Sequence, residues 1–572
     1  MPVYNSDVAE IFNRVADLLE IEGANEFRVR AYRNAARTIS TLSDNVADRV
    51  KEGEDLTEME GIGEDLAAKI EEIVKTGDLK QLEEIEQRTP PALAEMLDIA
   101  GLGPKRVQKL YKVLDITSME ELRQAAEAHR IRELEGLGET IEQKVLDDLE
   151  AMDQHEERTR LDVAEERVEP LVAYLEEIEG VQQVAVAGSY RRHKETVGDL
   201  DILATGSEGE QIINHFVNYE DVKTILSQGE TRSSVELRTG LQVDLRVVAE
   251  DSYGAALLYF TGSKAHNIAL RNMALDQDLK INEYGVYQGE ERIAGKTEKE
   301  IYDLFDLPVF EPELREDRGE IEAAARGTLP DLITLEDIRG DLQMHTQASD
   351  GHDTLKEMAQ AARDLGYEYI AITDHSARVA VTQGLDADSL SRRIDEIDQL
   401  SEEMEELRIL KGIEVDILED GSLDLPDESL ANLDVVIAAV HVKFDLPREK
   451  QTERIIRAMD NPHVHILAHP TGRIIGDRQP YALDMERLME AAQERGCVLE
   501  VNAHPDRLDL NDIHCKMAKE LGVKIAISTD AHRVNHLRMM RYGIGQARRG
   551  WLEPKDVVNT RSWSDLADIL KR

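Results

Sequence analysis

Two aspartates, Asp199 and Asp201, stand two positions apart in GDLDIL (198–203), ahead of apolar, strand-like residues. Side chains alternate between the faces of a strand, so both carboxylates point the same way, about 7 Å apart along the chain. Two negative charges on one face invite a cation. A bare D-x-D is more often a strand end with solvated acids, so its surroundings decide. Upstream, VAVAGSYRRHKETVGDLDILAT (184–205) reads as a strand, a Gly-Ser turn, two arginines and the carboxylate strand. Gly188 and Ser189 can offer backbone and hydroxyl groups to phosphate oxygens, and Arg192 can neutralise their charge. Downstream, LQVDLRVV (241–248) is another strand with one acid, Asp244, on the face opposite Val243 and Leu245. Three carboxylates on adjacent strands can hold two divalent ions, magnesium or manganese, about 3.5–4 Å apart. One ion would lower the pKa of an attacking hydroxyl, and the other would clamp the triphosphate and leaving group. This pattern supports metal-dependent nucleotidyl transfer.

A second constellation follows residue 338, where short apolar strands alternate with helices. GDLQMH ends at His345, YIAITDH at Asp374 and His375, LKGIEVDI runs through Glu414 and Asp416, and VVIAAVH ends at His441. VHILAHP then reaches His469, CVLEVNAH runs through Asn502 to His504, and KIAISTDAH closes on Asp530 and His532. In a parallel barrel all strand C-termini open on one face, so these scattered residues converge on one pocket. A lone histidine is usually a surface or core residue, but seven strand ends in step are not a chance pattern. Histidine, aspartate and glutamate without cysteine suit zinc, manganese or iron at a water-activating site rather than a structural zinc. His352, His463, His465 and His504 read as supporting or surface residues. Arg473, after HPTG, could hold a substrate phosphate.

The elements that must position these groups exceed one core, because 572 residues divide into roughly three or four domains. Cys497 and Cys515 cannot form a disulfide framework, and MPVYNSDVAE lacks the charged and apolar regions of a signal peptide. No apolar run approaches a membrane span, VVIAAV (435–440) being typical of the longest. The expectation is a soluble cytoplasmic protein with no membrane partner. The formal charge is -49, from 117 acidic against 68 basic residues, which by itself disfavours a nucleic-acid partner. Distribution matters more: positive charge gathers in RVRAYRNAAR (28–37), PKRVQKLYK (104–112) and RRHK (191–194). An acidic coat around local basic sites resembles proteins of salt-loving archaea, where molar salt shrinks the Debye length to about 3 Å.

Within the first 150 residues one theme recurs: LTEMEGIGEDLAAKI (56–70), MLDIAGLGPKRVQKL (96–110) and IRELEGLGETIEQKV (131–145). Each carries Gly-apolar-Gly before an amphipathic helix. Gly61 and Gly63, like Gly101 and Gly103, allow a tight turn and leave backbone N–H groups bare at a helix N-terminus, where phosphate can bind without regard to sequence. This resembles the helix-hairpin-helix module of DNA repair enzymes. Lys105, Arg106 and Lys109 make the middle copy the best binder; Glu139 and Glu142 make the third read as structural. Lys69, near the first anchored phosphate, could form a Schiff base with an abasic sugar if its pKa is lowered, although Asp65 close by is an unhelpful neighbour for phosphate.

The G-S-x-R-R and G-D-x-D pattern with its later lone aspartate resembles the family X DNA polymerases. The resemblance continues through YFTGSKAHNIALR (259–271) and INEYGVY (281–287) and covers residues 1 to about 317. It implies helical DNA-binding regions over 1–85 (lyase-like) and 86–150, an α+β nucleotidyltransferase palm over 151–253 and a nucleotide- and template-binding thumb over 254–317. By the same match, Tyr259, Phe260 and Gly262 meet the incoming sugar, Asn267 the minor-groove edge of the nucleotide and Arg271 the template strand. Arg28 and Tyr32 fall where the family holds a downstream 5′-phosphate, and Lys69 falls at its lyase position, with Asp65 replacing a basic residue. His193 stands where many relatives have glycine, and Lys264 where some have an acid.

After a connector (318–338), residues 339–572 resemble the PHP (polymerase and histidinol phosphatase) phosphoesterases, implying a distorted α/β (β/α)7 barrel. By motif match His345, Asp350, His375, Glu414, His441, His469, Asp530 and His532 are the ligand set. Gln343 stands where many relatives carry the first histidine of H-x-H, and a neutral amide is a poor ligand, which leaves one metal weak or absent. The fusion resembles the bacterial and archaeal form of the polymerase. It implies a monomer acting on gapped or primer-template DNA with dNTPs, filling gaps in base excision repair and processing 3′ ends as exonuclease or phosphoesterase, and it leaves 5′-dRP lyase and AP endonuclease activities open. The alternatives are a PHP phosphoesterase tethered to DNA by an inert polymerase half, and a nucleotidyltransferase on RNA ends.

Overall fold

A computed structural model describes residues 5–40, 46–59, 61–76, 78–86, 88–90, 92–99, 102–134, 136–138, 141–146, 149, 158–378 and 384–571. The chain forms two compact units, Met1–Glu157 and Arg158–Arg572. Among the described residues no helix is long and apolar enough to cross a membrane.

The first unit is helical, as the repeats predict. Helices Asn5–Glu22 and Glu26–Ser40 pack through Phe12, Val15, Leu19, Ala36 and Ile39. The residue between the paired glycines acts as an anchor. Ile62 and Leu102 are both buried, so each turn is pinned to the core while Gly61, Gly63 and Gly103 stay exposed. Gly61 has a φ of +79°, which favours glycine. The helices Glu64–Thr76 and Pro104–Leu114 start directly after these turns, and Gly103 caps the second without a side-chain hydrogen bond. Its first N–H groups therefore remain available to an anion.

In the second unit, the palm is a five-stranded sheet ordered Val181–Val186, Asp199–Gly206, Gln242–Val248, Arg232–Leu237, Val222–Gln228. Only the central pair, Asp199–Gly206 with Gln242–Val248, is parallel. Helices Leu161–Glu176 and Gly209–Phe216 supply Val168, Leu171, Ile212 and Phe216 to the core beneath the strands' Leu200, Ile202, Val243 and Leu245. Alternation then leaves the aspartates on the other face. The thumb adds helices Tyr253–Thr261 and Lys264–Asp276 and a three-stranded antiparallel sheet over 279–294.

The third layer of the unit is a parallel, nearly closed seven-stranded barrel whose strands follow chain order: Gly340–Asp341, Tyr369–Ile372, Arg408–Asp416, Val435–Ala439, Ile466–Leu467, Val498–Asn502 and Ile525–Ser528. A parallel bridge from Met344 to Ala531 brings its first and last edges together. Alternate strand residues divide between two cores. Val436 and Ala438 pack outward with helix residues such as Met358, Ile397 and Leu488, while Val435, Ile437 and Ala439 pack inward with Leu566 and Leu570 of the C-terminal helix Trp563–Leu570. That helix plugs the end of the barrel where the strands begin, leaving the other end for polar groups. The multidomain class expected from sequence is thus observed: helix-hairpin-helix region, α+β palm and thumb, and α/β barrel.

Helix Tyr253–Thr261, which carries the aromatic pair, lies so close to the start of helix Glu298–Asp303 that a Cβ on Gly254 would overlap the main chain of Thr297. Gly254→Ala is expected to destabilise the polymerase half by about 1–3 kcal/mol, the usual cost of overpacking. An unchanged unfolding midpoint would contradict this packing.

Candidate active sites

The palm carboxylates are set by strand register. Asp201 pairs directly with Asp244, and Asp199 with Gln242, across the parallel strands. Register partners share a face, as do residues two apart on one strand, so Asp199, Asp201 and Asp244 project together. Burial, followed by the charges of Asp199 and Asp244, pushes Asp201 up to about 7. Asp244 is 8% exposed, accepts a hydrogen bond from Gln242 Nε2 (3.1 Å) and lies 3.6 Å from Arg232. Three acids crowded this closely are a donor set for divalent cations. Gly188, at φ +62°, stands over Asp201: a Cβ there would fall 2.8 Å from Oδ2. The glycine keeps the space beside the carboxylate open. Ser189 follows in the same short helix, Gly188–Arg191.

Tyr259 and Phe260 meet edge to face at 5.0 Å, with Arg271 over the Tyr259 ring and Arg246 over Phe260. Asn267 donates to the carbonyls of Tyr259 (2.6 Å) and Gly262 (3.2 Å), and a Cβ on Gly262 would lie 2.7 Å from Asn267 Oδ1. Asn267 thereby fixes the turn that ends the aromatic helix. Arg192 is buried, donating to Glu316 (2.9 Å) and to the Thr261 carbonyl (2.6 Å).

At the barrel mouth, seven of the eight motif residues fall into three overlapping groups of potential metal ligands: His345, Asp350, His375 and His532; His375, Glu414 and His441; His345, Glu414 and Asp530. His469 joins them, its Nε2 3.1 Å from Glu414 Oε1. Glu414 is the hub, within 3.2 Å of His345 and His441 and 3.4 Å of His375. The donors fit bound cations. His345 Nε2 lies 3.2 Å from Glu414 and 3.0 Å from Asp530 Oδ1, all buried and none with the angles of a hydrogen bond, and the His345 ring stacks on His375 at 4.4 Å and on His532 at 4.3 Å. Without a cation the carboxylates supply the balancing charge: against the effect of burial, Asp530 and Glu414 hold His345 well above the ordinary histidine range, and Asp416 and Glu414 raise His441 to about 9, protons that a bound divalent cation would replace. Burial pushes His375 down to about 4, and Glu414 lies well below the usual carboxylate range because the surrounding imidazoles outweigh its burial. His469 (φ +29°) and Asp530 (φ +52°) both have left-handed backbone, strain of the kind that gathers at functional sites.

Around the ligands stands a second ring of contacts. Asp416 accepts from His441 Nδ1 at 3.0 Å, which orients the other nitrogen toward Glu414. Asp374 is not in the cluster; it accepts from Thr346 N (2.7 Å), Ser349 Oγ (2.9 Å) and Arg393 (3.1 Å) and so holds the loop between His345 and Asp350. Gln343 donates to Glu414 at 3.1 Å, and its Oε1 is buried without a partner. Arg473 points elsewhere: its guanidinium is taken up by Glu195 (2.6 and 3.2 Å) and the Arg507 carbonyl. The cation beside the cluster is Arg507, 3.7 Å from Asp530.

In the helical unit, Arg28, Lys105 and Arg106 are exposed. Tyr32 is in the core, edge-on to Phe12, with its hydroxyl donating to Gln81. Lys69 forms an ion pair with Asp65, one helical turn away. Glu142 of the third hairpin is fully buried and accepts from Arg132 N at 2.9 Å, a structural clamp; Gly101 and Glu139 lie outside the described residues.

Matches to known families cover both units: a helix-hairpin-helix domain (3–79), a SAM-like helix-hairpin-helix tandem (93–151), the DNA polymerase beta palm (160–244) and thumb (256–316), and a PHP domain (341–504). The DNA polymerase/3′-5′ exonuclease PolX of Bacillus subtilis (strain 168) is 38% identical over 574 aligned residues, spanning 100% of both chains. The chain belongs to the family X DNA polymerases that carry a PHP domain. A probable phosphatase of Thermoanaerobacter sp. (strain X514) matches 34% of this chain and 78% of its own length at 36% identity, and DNA polymerase lambda of Arabidopsis thaliana matches 55% and 62% at 26%. None of these relatives bears on a halophilic archaeal source.

Several residues of this family X chain escaped sequence reading. Arg507 sits in PDRLDL, where nothing in its spacing sets it apart from other arginines, and Arg393 is a helix residue far from any motif. Arg232 could have been found only from the pairing of its strand with that of Asp244.

Asp201 provides a pH test. Its pKa in the metal-free fold stands above the ordinary 3.8, so its stabilising contribution is full below about pH 4 and is lost as pH rises through about 7. Asp201→Asn is therefore expected to raise the metal-free melting temperature at pH 8 by a few degrees, with little difference at pH 4. Equal melting temperatures at both pH values would contradict the crowding of the three acids.

Proposed function

We propose that the chain is a DNA-directed DNA polymerase that also trims DNA 3′ ends. The observation that supports it best is the register placing Asp201 level with Asp244, beside Asp199. Magnesium or manganese held by these acids would supply Lewis acidity for two-metal nucleotidyl transfer. The protein's part is positioning. Gly188, Ser189 and Arg192 receive the triphosphate, Tyr259, Phe260 and Gly262 pack against the incoming sugar, Asn267 reads the minor-groove edge and Arg271 steadies the template. Gly61, Gly63, Gly101, Gly103, Lys105 and Arg106 hold the DNA backbone, with Arg28 at a downstream phosphate. Gap filling in base excision repair fits a chain with several backbone clamps and a local basic end-binding site. We place the working divisions at 1–85, 86–150, 151–253, 254–317 and 339–572.

In the barrel, His345, Asp350, His375, Glu414, His441, His469, Asp530 and His532 would hold zinc, manganese or iron, which would supply an activated water for phosphoester cleavage. Arg507 is the group to steady the substrate phosphate, and Gln343 offers an amide oxygen where an imidazole would bind more tightly. The ion pair with Asp65 occupies the Lys69 amine that a Schiff base would need, which disfavours lyase chemistry at that residue. The acidic surface supports work at high ionic strength, where repulsion from DNA is screened. A monomer in the cytoplasm satisfies all of these roles.

Primer extension on gapped DNA, run beside a 3′-end trimming assay, tests both halves. Asp244→Ala is expected to reduce extension at least about 10³-fold while trimming persists. His532→Ala is expected to do the reverse. Full extension by the Asp244 variant would overturn the palm assignment, and wild-type trimming by the His532 variant would overturn the ligand set. The reading in which the polymerase half is only a DNA tether requires that the wild type not extend at all.

A further inference from the structure

The helix Met540–Arg549 belongs to two cores at once. Met540, Ile544 and Ala547 pack inside the barrel's core, whereas Tyr542 packs with the palm's. Three of its arginines meet glutamates of the polymerase half: Arg541 with Glu165 (2.6 Å), Arg548 with Glu313 (2.6 Å) and Arg549 with Glu316 (2.9 Å). The helix also makes room for the palm, since a Cβ on Gly545 would stand 3.1 Å from both Cβ and Nδ1 of His193. His193 thus finds its space over a glycine of the barrel.

Arg549 is the informative member. It is 3% exposed, and its Nη1 donates both to Glu316 Oε1 and to the carbonyl of Arg192 (2.8 Å), while Nη2 donates to Asp512 (2.6 Å). Glu316 Oε1 is the same oxygen that accepts from Arg192 Nε. One carboxylate is therefore shared between an arginine of the nucleotide turn and an arginine of the barrel. Alone with Glu316, Arg192 would be neutralised and would bring no net charge to a triphosphate. With Arg549 on the same oxygen, and Asp512 paired in turn with Arg318 (2.8 Å), the cluster of three arginines and two carboxylates keeps a net positive charge, and the carbonyl bond fixes the backbone from which Arg192 projects.

We propose that Arg549 is a positioning residue for nucleotidyl transfer, through which the barrel holds Arg192 in place and keeps its charge available to the incoming triphosphate. This rests on the reading that Arg192 meets the triphosphate. The coupling makes the nuclease-type barrel a structural part of the polymerase site, so that dNTP affinity depends on a residue far along the chain from any polymerase motif.

Steady-state gap filling by the full-length chain tests it. Arg549→Ala is expected to raise KM for dNTP about tenfold with kcat within about twofold, and 3′ trimming unchanged. Adding Glu316→Gln to it removes the carboxylate charge and is expected to return KM to within about threefold of wild type, a rescue that a purely structural role would not give. Glu316→Gln alone, which serves if Arg549→Ala fails to fold, is expected to leave KM at or below the wild-type value. An unchanged KM in Arg549→Ala, failure of the rescue, or a raised KM in Glu316→Gln would each overturn the proposal. Arg192→Ala separates the two readings: if it raises KM and Arg549→Ala does not, only the coupling falls; if it leaves KM unchanged, the nucleotide role of Arg192 falls and the coupling with it.

Discussion

Asp201 lies level with Asp244 on a neighbouring strand, with Asp199 two residues away, and this confinement of like charge governs how the polymerase half is built. Carboxylates brought together and partly buried repel, and Asp201 shows the cost in its tendency to keep a proton. Such an arrangement persists only where the surrounding packing over-determines it. Leu200, Ile202, Val243 and Leu245 anchor the opposite faces of the same two strands in a dry core, so neither strand can turn its acids away without exposing its apolar side. Divalent cations standing between the oxygens would turn this repulsion into affinity.

The barrel solves the same problem with mixed donors. Glu414 draws four imidazoles around itself, and the ring of supporting groups, Asp416, Asp374 and Arg393 among them, fixes their orientation. Parallel topology brings the ligands from separate strands to one mouth, and the inward apolar residues with the C-terminal helix seal the opposite end. The two centres are then joined by charge rather than by apolar packing alone: the arginines of one barrel helix face glutamates of the palm and thumb, and Arg473, which its position after HPTG suggested for a phosphate, spends its donors on Glu195.

Much of this was readable from residue order. The D-x-D strand with its later partner acid needed only strand alternation, and the strand-end histidines needed only the rule that parallel strands open together. The Gly-apolar-Gly repeats gave the helical head. Contacts set by tertiary packing were not readable. Tyr32 looks like a surface aromatic in RVRAYRNAAR, yet its helix turns it into the core against Phe12. Arg507 and Arg473 are alike in sequence, and only the fold decides which one stands beside Asp530. The sharing of Glu316 between Arg192 and Arg549 joins residues separated by most of the second unit, and no local periodicity encodes it.

The central claim is that the three palm acids form one cation site. Anomalous scattering from crystals of the full chain with manganese, gapped DNA and a non-hydrolysable dNTP measures this directly. Two peaks about 3.5–4 Å apart, bounded by Asp199, Asp201 and Asp244, are the expected result. Manganese density confined to the barrel around Glu414, with none at the palm acids, would contradict it.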